Sequence, residues 1–323
     1  MRHIWILGGG GLLGSATKKA LDGEQDITLF SEPKALRWTE NTILQQQLSQ
    51  AIEAFAHTIG TNESWELHWM AGRSIMSSSK AELEEETDIL SFLLERIGSH
   101  KAMQETEGTI VFASSAGGIY AGSTEETICE ASTVSPLSPY GEEKLQQEKL
   151  IQTWVKAHPK TSVLIARLST LYGPNQSRGK KQGLLTHIAR SILQKKPVEI
   201  FVPFDTIRDY IHVRDAALEI LRCLQQVRGS GSIITKIIAS EEPTTIAQII
   251  QLFQHALRIR PRIITSSNPR SSHYARRICF RSTVLAEERS RKRTSLLCGI
   301  AEILASERLT MAKGTNCSSI QQQ

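Results

Sequence analysis

Two side chains in this 323-residue sequence stand out by type and spacing, Tyr140 and Lys144 of the stretch Tyr140-Gly141-Glu142-Glu143-Lys144. A tyrosine and a lysine four positions apart share one face of a helix. The stretch predicts such a helix, because Pro136 and Pro139 stand just ahead and residues 142–151 are rich in good helix formers. A phenol with a pKa near ~10 is a poor base at neutral pH. An ammonium one turn away favours the phenolate, and the pair can then pass a proton to or from a substrate hydroxyl. The same spacing also occurs on ordinary solvated helix faces, so its meaning depends on the elements around it.

Those elements begin at the N-terminus. His3 to Leu7 is an apolar run that reads as a strand, Gly8 to Gly14 follows, and a helical stretch continues to about Leu21. Gly8, Gly11 and Gly14 give a G-x-x-G-x-x-G spacing. Strand, glycine loop and helix is the context a dinucleotide needs: glycines allow close approach to a pyrophosphate, and the helix end offers it free N–H groups. Asp26 to Phe30 reads as the second strand. At its exit, where an acidic side chain would accept from ribose hydroxyls, stand Ser31 and Glu32, with Lys34 and Arg37 close behind to suit a ribose 2′-phosphate. NAD and NADP therefore both remain open. Residues 41–57 and 79–97 read as helices, and 65–72 as a strand whose small exit residues Ala71 and Gly72 let the chain pass close to a cofactor. The strand at 108–113 runs into Ser114 and Ser115, and a hydroxyl there suits either a substrate beside Tyr140 or ordinary turn chemistry.

A strand at 162–167 follows, and from Gly173 to about Pro203 the alternation breaks, with a polar loop at Gly179, Lys180, Lys181 and Gly183 and a helix at 184–193. Strand character returns at 208–213 and 233–238, with helices at 215–224, 245–257 and 294–310. This organisation predicts a dinucleotide-binding domain over 1–172, to which 206–240 return. A smaller substrate-binding lobe is expected from 173–205 and 241–313, and a disordered tail over 314–323.

Hydrophobic content of 40% and charged content of 22% are ordinary for a globular protein. The net charge of +5 owes much to a basic stretch from Arg258 to Arg293. No aromatic interleaving or nucleic-acid motif accompanies it, so no nucleic-acid partner is expected. The five cysteines are scattered without metal-ligand spacing and fit reduced thiols in a cytosol. No apolar run reaches the ~18 residues of a membrane span, and the N-terminus reads as a strand rather than a signal peptide. A cytoplasmic protein without metal or membrane is the expectation.

Five motifs together resemble the extended short-chain dehydrogenase/reductases of the NAD-dependent epimerase/dehydratase type. They are GGGGLLG at Gly8–Gly14, FASSAGGIY at Phe112–Tyr120, YGEEK at Tyr140–Lys144, RLSTLYGP at Arg167–Pro174 and RDYIHVRDAA at Arg208–Ala217. The resemblance implies an α/β fold, a Rossmann-type doubly wound parallel sheet with a smaller C-terminal substrate-binding lobe. It implies Tyr140 as acid/base, Lys144 as its partner and a contact to the nicotinamide ribose, and Ser115 on the reacting hydroxyl or carbonyl, Ser114 being the second candidate. Cofactor contacts are expected at Gly8, Gly11, Leu12, Leu13, Gly14, Ser31, Glu32, Ala71, Tyr140 and Lys144. Substrate contacts are expected at Ser115, Thr170 and Arg208, the last on a phosphate. The implied activity is NAD- or NADP-dependent hydride transfer on a nucleotide-sugar by a homodimer whose helices at about 79–97 and 140–156 pack against their mates. A reductase of another small carbonyl compound and a nonenzymatic dinucleotide sensor are the alternatives.

Four positions depart from the family pattern. Leu7 stands where Thr often precedes the first glycine, and Thr170 where Asn is frequent. Ala116 and Gly117 follow Ser115 where dehydratases carry an Asp-Glu pair, so no carboxylates stand there to eliminate water.

Overall fold

Runs of buried apolar residues form the centre of the molecule. The computed structural model describes residues 1–320 except 73, 77, 177–182, 267–275 and 287–291. Six strands lie in one sheet: β1 (Arg2–Leu7), β2 (Ile27–Phe30), β3 (Ser64–Trp69), β4 (Glu107–Ser115), β5 (Thr161–Leu168) and β9 (Ile233–Ile238). Their order is β2-β1-β3-β4-β5-β9, and every pairing is parallel. A parallel sheet needs both faces covered, and the period of two along each strand supplies both. Trp5, Leu7, Trp65, Leu67, Trp69, Ile110 and Phe112 point to one face, under α2 (Asn41–Thr58), α3 (Lys80–Ser99) and α6 (Pro139–Lys156). Ile4, Ile6, Val111, Leu164 and Ala166 point to the other, under α1 (Leu12–Leu21) and α8 (Val213–Val227). The expected doubly wound parallel sheet is present.

One polar pair breaks the second face. Glu66 and His68 are buried on β3, 2.9 Å apart, and Glu66 also takes Arg2 at 3.0 Å and Arg228 at 2.6 Å. A buried carboxylate is tolerable only when it is paired in this way. These contacts tie β1, β3 and the end of α8 together.

The outer lobe has its own core. Leu185, Ile188 and Ile192 of α7 (Leu184–Leu193) meet Ile249 and Phe253 of α9 (Ile246–Leu257) and Ile300, Ile303 and Leu304 of α10 (Leu296–Ile320). β7 (Val198–Ile200) pairs with β11 (Ile263–Thr265) beside them. The returning segment divides: α8 and β9 join the main sheet, whereas β8 (Ile207–His212) lies between β6 (Thr170–Tyr172) and β10 (Pro243–Thr245) in a small separate sheet. The stretch expected as a tail from 314 continues α10 to Ile320, and 321–323 lie outside the described residues. Upstream, α10 is pinned by its buried apolar face and by Glu307, which takes Arg190 of α7 at 2.8 Å, so the helix continues from a fixed base.

Gly179, Lys180, Lys181, Arg270, Arg289 and Arg291 also lie outside the described residues. Of the described basic residues, Arg276 pairs with Asp205, Arg277 with Glu126 at 3.5 Å, and Arg293 donates to the Ala239 carbonyl at 2.7 Å. No helix among the described residues is long and apolar enough to cross a membrane.

Candidate active site

The strand order reverses between β1 and β3, since β2 lies on one side of β1 and β3 on the other. In open α/β sheets the crevice at the carboxyl ends of such strands is where ligands bind. The glycine loop and the β3 exit meet there. Gly8 has φ +82°, a left-handed conformation that glycine adopts without cost, and a Cβ on it would lie 2.6 Å from the Ala71 nitrogen. A Cβ on Gly14 would lie 2.3 Å from the Gly8 carbonyl oxygen, so α1 begins hard against the loop. Gly11 is the N-cap of α1, with no side-chain cap and no acidic residue in the first turn. The helix end thus keeps unclaimed N–H donors and its positive dipole for an anion. Leu12 and Leu13 pack into the core beneath β1, which leaves only their backbone amides for a ligand.

At the β2 exit, Ser31 is exposed and Glu32 accepts the Trp5 indole N–H at 2.9 Å. The expected ribose acceptor therefore already has a structural partner, and its carboxylate is held at the strand end. Lys34 and Arg37 are exposed, the latter 3.5 Å from Glu40.

β4 ends in two serines that the pleat separates. Ser114 is buried and donates to Glu148 at 2.6 Å. Ser115 is half-buried, and its hydroxyl accepts the Gly118 N–H at 3.1 Å to start α5 (Ala116–Ile119). α6 begins opposite this turn. Ser138 caps it through the Gly141 N–H at 3.3 Å, and Pro139 takes the first helical position, where a missing N–H costs little. The turn and the helix touch through two glycines: a Cβ on Gly141 would lie 2.3 Å from the Gly118 carbonyl oxygen, and one on Gly118 would lie 3.1 Å from Tyr140 Cδ1. Only with both positions bare does the Tyr140 ring rest on the turn that Ser115 opens.

Behind Tyr140, the Lys144 ammonium lies 5.9 Å from the tyrosine ring centre and 5.4 Å from that of Phe112. It donates to Glu86 Oε1 at 2.8 Å and to Gln147 Oε1 at 2.9 Å. Burial pulls the ammonium's pKa down, but the Glu86 carboxylate, with Tyr140 and Glu143, outweighs it and holds the group above its ordinary value. Burial conversely pushes Glu86 up, and Lys144 brings it below the usual carboxylate range. One turn further along α6, Glu148 takes Arg167 of β5 through Nε at 3.0 Å and Nη2 at 2.7 Å, and Arg167 also reaches the Tyr120 hydroxyl. This pairing fastens α6 to the ends of β4 and β5.

The expected substrate contacts lie on neighbouring strands. Thr170 is exposed at the start of β6 and pairs in register with Tyr210 of β8, two residues past Arg208. Arg208 is half-buried and donates to its neighbour's carbonyl at Ile207, 2.8 Å away. The carboxylates close to it in sequence have other partners, Asp205 taking Arg276. Asp209 accepts from the Ser240 N–H at 2.8 Å and the Glu241 N–H at 2.7 Å, and Asp215 from the Thr294 N–H at 2.7 Å.

The structure thus brings Gly8, Gly14 and Ala71 together at the β1 and β3 exits, and Ser115, Tyr140 and Lys144 at the β4 exit and the start of α6. Sequence reasoning missed Glu86, Gly118, Gly141 and the Glu148–Arg167 pair. Gly141, a glycine inside a stretch of helix formers, was the one signal available.

The model of a family described as NAD dependent epimerase/dehydratase matches residues 4–235. A Bacillus subtilis protein named uncharacterized UDP-glucose epimerase YtcB is 29% identical over 146 residues, 45% of this chain and 44% of that protein. The UDP-glucose 4-epimerase of Pasteurella multocida is 24% identical over 287 residues, 78% of this chain and 81% of that one. The chain spans about half the length, 44%, 48% and 45%, of the first three curated relatives that it matches. Among solved structures, the UDP-glucose 4-epimerase of Thermotoga maritima with UDP-glucose superposes with a TM-score of 0.76 at 18% identity, over 96% of this chain and 100% of that one. MoeE5 in complex with UDP-glucuronic acid and NAD gives 0.74 at 21% identity, over 95% and 99%. These likenesses are likenesses of fold.

Proposed function

The chain belongs to the NAD-dependent epimerase/dehydratase family, and from that premise we propose that it is an NAD(P)-dependent enzyme acting on a nucleotide-sugar, as epimerase or oxidoreductase. Tyr140 serves as its acid/base. The observation that carries this reading is the seating of the Tyr140 ring on the Ser115 turn with the Lys144 ammonium behind it. NAD or NADP would supply hydride exchange at the substrate carbon. The loop at Gly8, Gly11 and Gly14, packed on Ala71, fits a pyrophosphate, because the backbone is bare there and the α1 end is uncapped. Ser115 would orient the reacting hydroxyl or carbonyl, and Tyr140 would take or return its proton. Lys144 has three N–H donors; two go to Glu86 and Gln147, and the third suits a ribose hydroxyl. Arg208 and Thr170 would meet the activated sugar. Ala116 and Gly117 after Ser115 leave no carboxylates for water elimination there, which favours epimerase or reductase over dehydratase.

We further infer a cytoplasmic homodimer, joined through the outward faces of α3 and α6. The test of the activity is Tyr140→Phe. Turnover of the nucleotide-sugar identified by thermal-shift screening should fall by at least ~10²-fold, the lower scale of general acid–base catalysis. Unfolding and calorimetric NAD binding should be almost unchanged. Turnover at the wild-type level in Y140F would remove Tyr140 as the acid/base and point to another base, whereas no turnover in either protein would leave the dinucleotide-sensor reading in its place.

A further inference from the structure

The Lys144 side chain is nearly buried, with a carboxylate against its ammonium from a different helix. Lys144 and Glu86 are 2.8 Å apart, and their side chains are 6% and 8% exposed. Glu86 lines a cavity of about 80 Å³ together with Trp38, Gly72 and Ser74, and the Ser74 N–H donates to Glu86 Oε2 at 3.1 Å. One carboxylate therefore joins the β3 exit, which packs on Gly8 three residues upstream at Ala71, to the lysine behind Tyr140. The rest of the contact is a chain of hydrogen bonds between α3 and α6. Gln147 Nε2 donates to Thr87 at 2.9 Å, and Thr87 donates to Glu143.

We propose that Glu86 is a positioning residue of this site: its carboxylate fixes the Lys144 ammonium beneath Tyr140 and keeps it charged. The proposal rests on the reading of Tyr140 and Lys144 given above. An enclosed ammonium loses its hydration and sheds its proton readily unless an opposite charge replaces the water. Among the described residues, the groups facing Lys144 are Tyr140 and Glu143 on its own helix and Glu86 on α3, with Glu82 and Glu85 around the cavity. Glu86 is the carboxylate hydrogen-bonded to the ammonium, and Gln147 supplies a neutral acceptor. Glu148, one turn away, is taken by Arg167. If Glu86 is made neutral, the lysine keeps a polar neighbour of the same shape but loses the charge that holds its proton.

The measurement is the pH titration of the Lys144 ¹³Cε resonance in lysine-labelled full-length protein, assigned by its absence in Lys144→Met. In the wild type the resonance should titrate above an ordinary lysine. In Glu86→Gln it should titrate at lower pH than in the wild type, and Glu86→Asp, which keeps the charge, should restore much of the difference. Turnover of E86Q should fall more steeply than wild type on the alkaline side, by roughly tenfold or more, because the ammonium is lost first there. A purely structural role would lower the melting temperature and leave the Lys144 titration in place. The proposal is overturned if Lys144 titrates alike in wild type and E86Q. It is equally overturned if the wild-type lysine titrates at or below the ordinary value, a result that needs no variant to fold. Because the resonance reports on Lys144 without any substrate, it separates this proposal from the catalytic one. An unaffected Y140F would sink the acid/base reading and leave the titration intact.

Discussion

Gly141→Ala perturbs the contact that seats Tyr140. A Cβ at this position would lie 2.3 Å from the Gly118 carbonyl oxygen, 2.8 Å from the Gly118 carbonyl carbon and 3.0 Å from Pro136 Cβ. Ordinary contact begins at 3.4 Å, so the two elements must part by 3.4 − 2.3 = 1.1 Å. Neither side gives easily. The Gly118 turn is held by the Ser115 hydroxyl, and α6 is held further along by Glu148 and Arg167. Overpacking of this kind costs about 1–3 kcal/mol, and replacing a helical glycine by alanine returns up to ~1 kcal/mol. The net loss of stability should therefore be about 0–3 kcal/mol. Tyr140 is the adjacent residue and must move with the helix. A displacement of ~1 Å in a catalytic group can cost on the order of 10² in rate, so activity should fall far more than stability. Urea unfolding, calorimetric NAD titration and turnover measured on the same preparation separate the two effects. Gly117→Ala is the stability control, since a Cβ there meets nothing within 4 Å. Full turnover in G141A at wild-type stability would show that the glycine contact does not place the tyrosine.

Three further outcomes can be checked. Burial pushes Glu66 up, but His68 and Arg228 outweigh it and bring its carboxyl from 4.5 to about 2. A folded pKa below the unfolded one adds stability above about pH 4.5 that is lost as pH falls toward 2. The wild type should lose about 2–3 kcal/mol over that window from this group, and Glu66→Gln should show a flatter pH dependence of its urea midpoint; parallel curves would refute the assignment. Arg208→Ala should weaken nucleotide-sugar binding by about 1.5–3 kcal/mol and leave NAD affinity unchanged in calorimetry, and loss of the dinucleotide instead would take Arg208 out of the substrate site. Light scattering should show a dimer at micromolar concentration; its helices would present Glu84, Glu85 and Asp88 of α3 and Glu142, Gln146 and Lys149 of α6, all exposed here, so a monomer in high salt alone would point to a polar interface and a monomer at all salts would refute it.

What the sequence made legible follows from how local each signal is. β9 and α7 carry their patterns within a few consecutive residues, and their expected bounds coincide with those found at 233–238 and 184–193. β6, β7, β10 and β11 have three residues each and exist only through partners elsewhere in the chain. No periodicity shows in so short a run. β8 has a clear strand pattern, but the sheet it joins is a tertiary choice, and it joined the small one. The site divides in the same way. Tyr140 and Lys144 are legible because one helical turn fixes their relation, whatever the rest of the chain does. Glu86 is 58 residues from Lys144 and stands among other glutamates of α3. Its neighbours Glu84 and Glu85 have the same composition and remain in solvent. Nothing in the residue type distinguishes them. What selects Glu86 is the packing of α3 on α6, which removes water from one glutamate and gives it an ammonium in return. A spacing rule can therefore find the proton-transfer pair, while the charge that surrounds it is set by contacts that exist only after the sheet has brought the two helices together.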